Sequence, residues 1–237
     1  MNEYTGIADY YDLLMTSGYY NYEQIANAIK TLISRNQKII EIGVGTGLVL
    51  AKLSELIDSQ CSLAGMDHTP EMLDIAKKRL GDRVNLFKAD ILSMSIAEKF
   101  DVAISNGGLC AFVDKGSSCD YYTHLIDNES NLQALQNISN CLNNGGLFII
   151  NVQGVHDNYD KHLPGGIIYS QEIVESTTQQ DCIEKTFYFK KDDRILAQQR
   201  LIYRIFQGEM IEKLFNQAGF KLEGKDKSGQ LIIYSKK

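Results

Sequence analysis

The segment Glu41-Ile42-Gly43-Val44-Gly45-Thr46-Gly47 holds the residue types best suited to receiving a small ligand. Glycines at 43, 45 and 47 let the backbone turn sharply and come close to a bound molecule with no Cβ in the way. Their spacing departs from the G-x-G-x-x-G that receives a pyrophosphate, failing at Leu48. Glu41, two positions before the first glycine, would repel a pyrophosphate but not a cationic ligand. Asp67, in Gly65-Met66-Asp67-His68, lies about 20 residues past the loop, where a carboxylate commonly accepts both hydroxyls of a ribose. Asp90, in Lys88-Ala89-Asp90-Ile91, is placed to accept from an adenine amino group. Each of these alone has an ordinary explanation as a turn or cap residue. In register, they mark one nucleoside-binding crevice.

The elements around them alternate. An amphipathic helix over 22–35 carries Ile25, Ile29, Leu32 and Ile33 at helical spacing. A strand, Lys38 to Ile42, runs into the glycines; Leu48 to Ile57 is a helix and Ser62 to Met66 a second strand. Pro70 opens a helix that ends near Leu80. Further strands are expected at Val84 to Ala89, Phe100 to Ser105 and Gly146 to Val152, the last preceded by a helix over about Asn131 to Leu142 with Asn143-Asn144-Gly145 as its cap. This rhythm predicts a mainly parallel sheet with helices on both faces, so the three acids end successive strands on one edge. After Val152 it changes. Ile167 to Glu175, Cys182 to Lys190 and Leu196 to Phe206 have strand character and predict an antiparallel meander. Gly208 to Ala218 returns to helix and Gln230 to Ser235 to strand, while Phe112 to Asn128 shows no pattern that assigns an element.

With 237 residues, 44% of them hydrophobic, the chain can bury one sizeable core. A net charge of −6 gives no general attraction for nucleic acid. Cys61, Cys110, Cys119, Cys141 and Cys182 lack the C-x-x-C pairing of a zinc or redox site, and no metal is expected. No apolar run is long enough to span a bilayer and no signal sequence is evident, so a cytoplasmic protein is expected.

On E-x-G-x-G-x-G, the acid ending the second strand and the Ala-Asp-Ile after the third, in that order, the chain resembles the class I S-adenosylmethionine-dependent methyltransferases. Gly208 to Lys237, with Glu212-Lys-Leu-Phe-Asn-Gln-Ala-Gly-Phe220, resembles that family's last helix and final strand pair. The resemblance implies an α/β, Rossmann-like, mostly parallel seven-stranded sheet with helices on both faces, plus an inserted antiparallel β cap. In these terms 1–36 is an N-terminal lid, 37–154 and 207–237 the core, and 155–206 the meander cap of a single domain. It also implies S-adenosylmethionine as cofactor and S-adenosylhomocysteine as product. Gly43, Gly45 and Gly47 would line the methionine part, Asp67 the ribose, Asp90 with Ile91 the adenine, and His68 and Met72 the adenosine, with Glu41 and Ser105 at the same site.

Six of the thirteen tyrosines fall within the first 22 residues. Tyr11-Asp12-Leu13 followed by Tyr22 resembles the lid of small-molecule N-methyltransferases of the amino-sugar and glycine type. Aromatic faces favour a sulfonium or ammonium, and a phenol can bond a carboxylate; packing of an N-terminal helix is the plainer role for any one of them. Ser105-Asn106-Gly107-Gly108 lacks the Pro-Pro-aromatic of many nucleic-acid amino-methyltransferases, which disfavours a flipped base as substrate. A small-molecule acceptor, by way of an amine nitrogen, is therefore expected, with an O-methyltransferase, a non-catalytic S-adenosylmethionine-binding protein and a nucleotide-cofactor oxidoreductase as alternatives. Should a hydroxyl need a general base, the candidates are His124, His156, Tyr19 and Tyr20; Asn106 and Asn151, at strand ends, could orient an acceptor. The meander could instead serve a homodimer.

Overall fold

Ile39 of β1 (Lys38–Ile42) packs on one face of the central sheet, and Ile40 and Ile42 on the other, so both faces require cover. The structure, a computed structural model, describes residues 3–94 and 96–237. After a 3₁₀ turn (Thr5–Ile7) come α1 (Ala8–Leu14), a wide turn over Met15–Tyr19, α2 (Tyr22–Lys30), β1, α3 (Leu48–Leu56), β2 (Ser62–Asp67), α4 (Pro70–Leu80) and β3 (Asn85–Lys88). Then follow β4 (Phe100–Ser105), β5 (Cys110–Asp114), β6 (Cys119–Thr123), α5 (Asn128–Cys141), β7 (Leu142–Gln153) and β8 (Tyr159–Leu163). The chain ends with β9 (Ile167–Glu175), β10 (Cys182–Lys191), β11 (Arg194–Phe206), α6 (Glu209–Gln217), β12 (Phe220–Lys225) and β13 (Leu231–Lys236).

The core sheet runs β3-β2-β1-β4-β7-β13-β12 and is parallel except for β13. This is the Rossmann-like, seven-stranded arrangement. Strand order reverses between β1 and β4, which opens a crevice at their carboxyl ends. Two helix ends differ from expectation. The α2 helix stops at Lys30 because its last turn tightens to three-residue hydrogen bonds, leaving Leu32 and Ile33 to pack from irregular backbone. The α5 helix begins at Asn128, since Asp127 Oδ1 accepts from the Ser130 N–H at 2.7 Å and caps it.

The expected meander is present as β9, β10 and β11, with Asp192 and Asp193 (φ 49° and 58°) making the two-residue turn into β11. The cap is larger than that meander. On one side β8 pairs with β9; on the other, β11 pairs with β6 of the β5–β6 hairpin, within the stretch whose sequence assigns no element. Parallel pairing with β7 passes from β4, ending at Ser105 opposite Ile150, to β5, with Phe112 opposite Val152. Core and cap therefore form one sheet. A third apolar cluster joins Ile7, Leu14 and Met15 of the N-terminal segment to Phe187, Phe189 and Leu201 of the cap. Full burial of Ile7 and Leu14 contributes about 1.5–3 kcal/mol each, enough to hold the segment down without a ligand. Among the described residues no helix is long and apolar enough to cross a membrane.

Candidate active site

The crevice contains a cavity that opens to solvent. Its floor is the glycine loop. Gly43 and Gly108 touch backbone to backbone: a Cβ on Gly43 would lie 2.7 Å from Gly108 Cα, and Gly43 itself holds φ 72°. A Cβ on Gly45 (φ 53°) would meet nothing within 4 Å, so here the loop faces open space. Gly47 does not line the cavity; it starts α3 at φ 81° and lets the helix approach Leu80.

Asp67, 8% exposed, accepts from the Gly45 N–H at 2.8 Å and the Thr69 N–H at 2.9 Å. These bonds fix the carboxylate, and each oxygen keeps a lone pair for a ligand. Glu41 is 2% exposed; burial and then the Asp67 charge hold its carboxyl well above the usual carboxylate range, so it is neutral in the protein alone. Glu41 Oε2, His68 Nε2 and Asn106 Oδ1 are buried without a partner among the described residues, and all three residues line the cavity. That set fits a ligand with several polar groups and a positive charge. Met66, Met72, Ala89 and Ile91 supply apolar wall. The structure keeps Asp90 outside: it is exposed, and its Oδ1 caps the turn by accepting from the Leu92 N–H at 2.9 Å. Ser105 also lies behind the wall, where its hydroxyl donates to the Cys110 carbonyl at 3.0 Å and accepts the Cys110 N–H at 3.2 Å. It thereby closes the loop of Asn106 to Leu109, which does line the cavity.

Tyr4, Tyr11 and Tyr22 cover the cavity from the N-terminal segment. An ionic link pins this cover to the loop: Asp12 accepts from Thr46 Oγ1 at 2.6 Å and from the Arg79 guanidinium, which also donates to the Thr46 carbonyl.

A second chamber adjoins the first, and both are bounded by Tyr4, Tyr11, Gly107 and His124. Tyr19, Tyr20, His156, Lys185, Phe187 and Tyr203 are among its walls. The His124 ring sits between those of Tyr4 and Tyr203, with centroids 5.8 and 4.6 Å away. Burial draws His124 down to about 4 and His156 to about 3, so both are neutral at pH 7. Burial pushes the Tyr4, Tyr11, Tyr19 and Tyr20 hydroxyls up, keeping them protonated. Asn151 is buried but lines neither space. Tyr4, Tyr203, Gly107 and Lys185 are site residues that sequence reasoning did not single out. Lys185 carried a signal, since Ile183, Phe187 and Phe189 share its parity on β10 and a charge interrupts their apolar face.

Residues 39–146 match the methyltransferase domain family. The chain is 37% identical over 86 residues to the malonyl-[acyl-carrier protein] O-methyltransferase of Anoxybacillus flavithermus, a likeness spanning 35% of this chain and only 33% of that relative. It shares its fold with an S-adenosylmethionine-dependent methyltransferase from Clostridium acetobutylicum (TM-score 0.71, 18% identity, 98% of each chain covered). It shares it also with CalS10, an amino pentose methyltransferase from Micromonospora echinaspora (TM-score 0.69, 16% identity, 96% of each chain covered). Residues 39–146 thus match a methyltransferase domain, and the chain shares the fold of S-adenosylmethionine-dependent methyltransferases of known structure.

Proposed function

We propose that this protein transfers a methyl group from S-adenosylmethionine to a small molecule, at an amine nitrogen. The observation that carries this reading is the pair of cavities meeting at Tyr4, Tyr11, Gly107 and His124. When bound, the cofactor supplies an electrophilic methyl group. Asp67 then receives the ribose hydroxyls, Gly43 and Gly45 make room for the methionine part, and Glu41 and Asn106 face its polar groups. His68, Met72 and Ile91 flank the adenosine. The aromatic rings of Tyr4, Tyr11 and Tyr22 exclude water and favour a positive charge.

In-line displacement needs donor and acceptor held together in a dry space, which can supply much of the rate. The second chamber is built to do that. An amine nitrogen is favoured because it needs no general base: the two imidazoles of the chamber are depressed by burial, its tyrosines stay protonated, and Lys185, drawn by burial to about 7, is among the described residues the one group in the wall that titrates near neutrality. The amino pentose acceptor of CalS10 fits the same choice, whereas the O-methyltransferase likeness lies within the cofactor domain.

Calorimetric titration with S-adenosylmethionine, S-adenosylhomocysteine and NAD tests the cofactor, comparing wild type with Asp67→Ala. Micromolar binding of both sulfur ligands, lost in the variant, is expected before a screen of small amines by mass spectrometry. Binding of NAD alone would sink the reading.

A further inference from the structure

Lys185 has no evident reason to be where it is unless something anionic reaches it. The residue is 1% exposed on the inner face of β10 and lines the second chamber. Its ammonium donates to the Tyr19 hydroxyl at 3.1 Å and lies 4.7 Å from the Phe187 ring centroid. Among the described residues it forms no ion pair, and the chamber wall contains no Asp or Glu. Glu184, its neighbour in sequence, points to the opposite face of the strand, where it pairs with Arg200. The titratable groups that share the chamber are tyrosines, Cys110 and two neutral histidines. Buried charges are normally paired; burial draws this amine to about 7, and an anion entering the chamber would restore its full charge.

We infer that the methyl acceptor carries a carboxylate, and that Lys185 holds it. This rests on the small-molecule reading above and specifies the class of acceptor. One cation, with no arginine in the wall, matches the single charge of a carboxylate better than the nearly double charge of a phosphate. Lys185 borders the second chamber only and is not one of the four residues shared with the cofactor cavity, so the carboxylate is a handle and not the atom methylated. The same cation disfavours a protonated amine beside it, which leaves the acceptor nitrogen in its nucleophilic, neutral form.

Uncharged and charged probes of one shape test this on protein saturated with S-adenosylhomocysteine. Acetate against acetamide and benzoate against benzamide are titrated by NMR, with inorganic phosphate as a further arm, in wild type and Lys185→Met. The expected result is that in at least one pair the carboxylate binds tenfold or more tightly than its amide, that phosphate binds more weakly than that carboxylate, and that the preference falls below twofold in the variant. Unchanged affinity for S-adenosylhomocysteine in Lys185→Met shows that fold and cofactor site are intact, which separates failure here from failure of the methyltransferase reading. No carboxylate preference in either pair, a preference that survives the substitution, or tighter phosphate binding would overturn the inference. So would a Lys185→Met enzyme that loses turnover while keeping its carboxylate preference, since Lys185 would then act as a base.

Discussion

Replacing Lys185 by methionine should make the folded protein more stable at neutral pH, although it removes a residue assigned to acceptor binding. Burial alone draws the Lys185 amine from 10.5 to about 7. In the unfolded chain the amine titrates near 10.5, so the folded state binds fewer protons between pH 7 and 10.5. The resulting penalty is absent above 10.5, grows as pH falls, and is complete below about 7. At roughly 1.4 kcal/mol per pH unit, the full penalty is about 4–5 kcal/mol. Methionine fills a similar volume and forfeits the Tyr19 hydrogen bond and the Phe187 contact, together about 1–2 kcal/mol. The net gain at pH 7 is about 3 kcal/mol, or roughly 6–12 °C in melting temperature for a chain of this size. Thermal melts of both proteins without ligand from pH 6.5 to 9.5 should show the difference shrinking to nothing at the alkaline end. A variant that melts at or below wild type at pH 7, or whose advantage does not depend on pH, would refute the reasoning.

Two further outcomes follow from the cofactor cavity. Glu41 is neutral in the protein alone and would ionise beside a cationic ligand, so binding of S-adenosylmethionine should release a proton and tighten with rising pH, by up to about tenfold per unit. Calorimetry at pH 7 in buffers of different ionisation enthalpy should detect this proton in wild type and not in Glu41→Gln. Asp12→Ala removes the link between the N-terminal cover and the glycine loop, while Ile7 and Leu14 keep the cover docked. Loss of about 1.5–3 kcal/mol should lower the melting temperature of the ligand-free protein by roughly 3–12 °C, with only a small change in far-UV circular dichroism.

The cavity proposed for the cofactor was legible because its polar residues lie at strand ends, where glycines and acids stand out against apolar runs. Even there, the residue type gave the place and not the job. Asp90 and Ser105 sit in the expected loops, yet each spends its side chain on backbone groups outside the cavity wall. Gly47 packs against Leu80 and lies outside the cavity wall. The β5–β6 hairpin escaped notice for a different reason. Cys110 to Val113 and Asp120 to Thr123 are buried without alternation, so no two-residue period marks them. The acceptor chamber draws on the N-terminal segment, the hairpin, the end of β7 and the cap strands, and only long-range strand pairing brings them together.

That division of labour makes the two cavities separable in evolution and in the laboratory. The cofactor space is built mainly from the ends of β1 to β4, and the acceptor space from β5, β6, β10, β11 and the end of β7; apart from the two tyrosines of the cover, only Gly107 and His124 belong to both. Lys185 and Phe187 on β10, which line the acceptor space alone, can therefore be randomised to change what binds there while the residues lining the cofactor cavity keep their identities. A library confined to Lys185 and Phe187 would sample acceptor preference against a constant cofactor cavity.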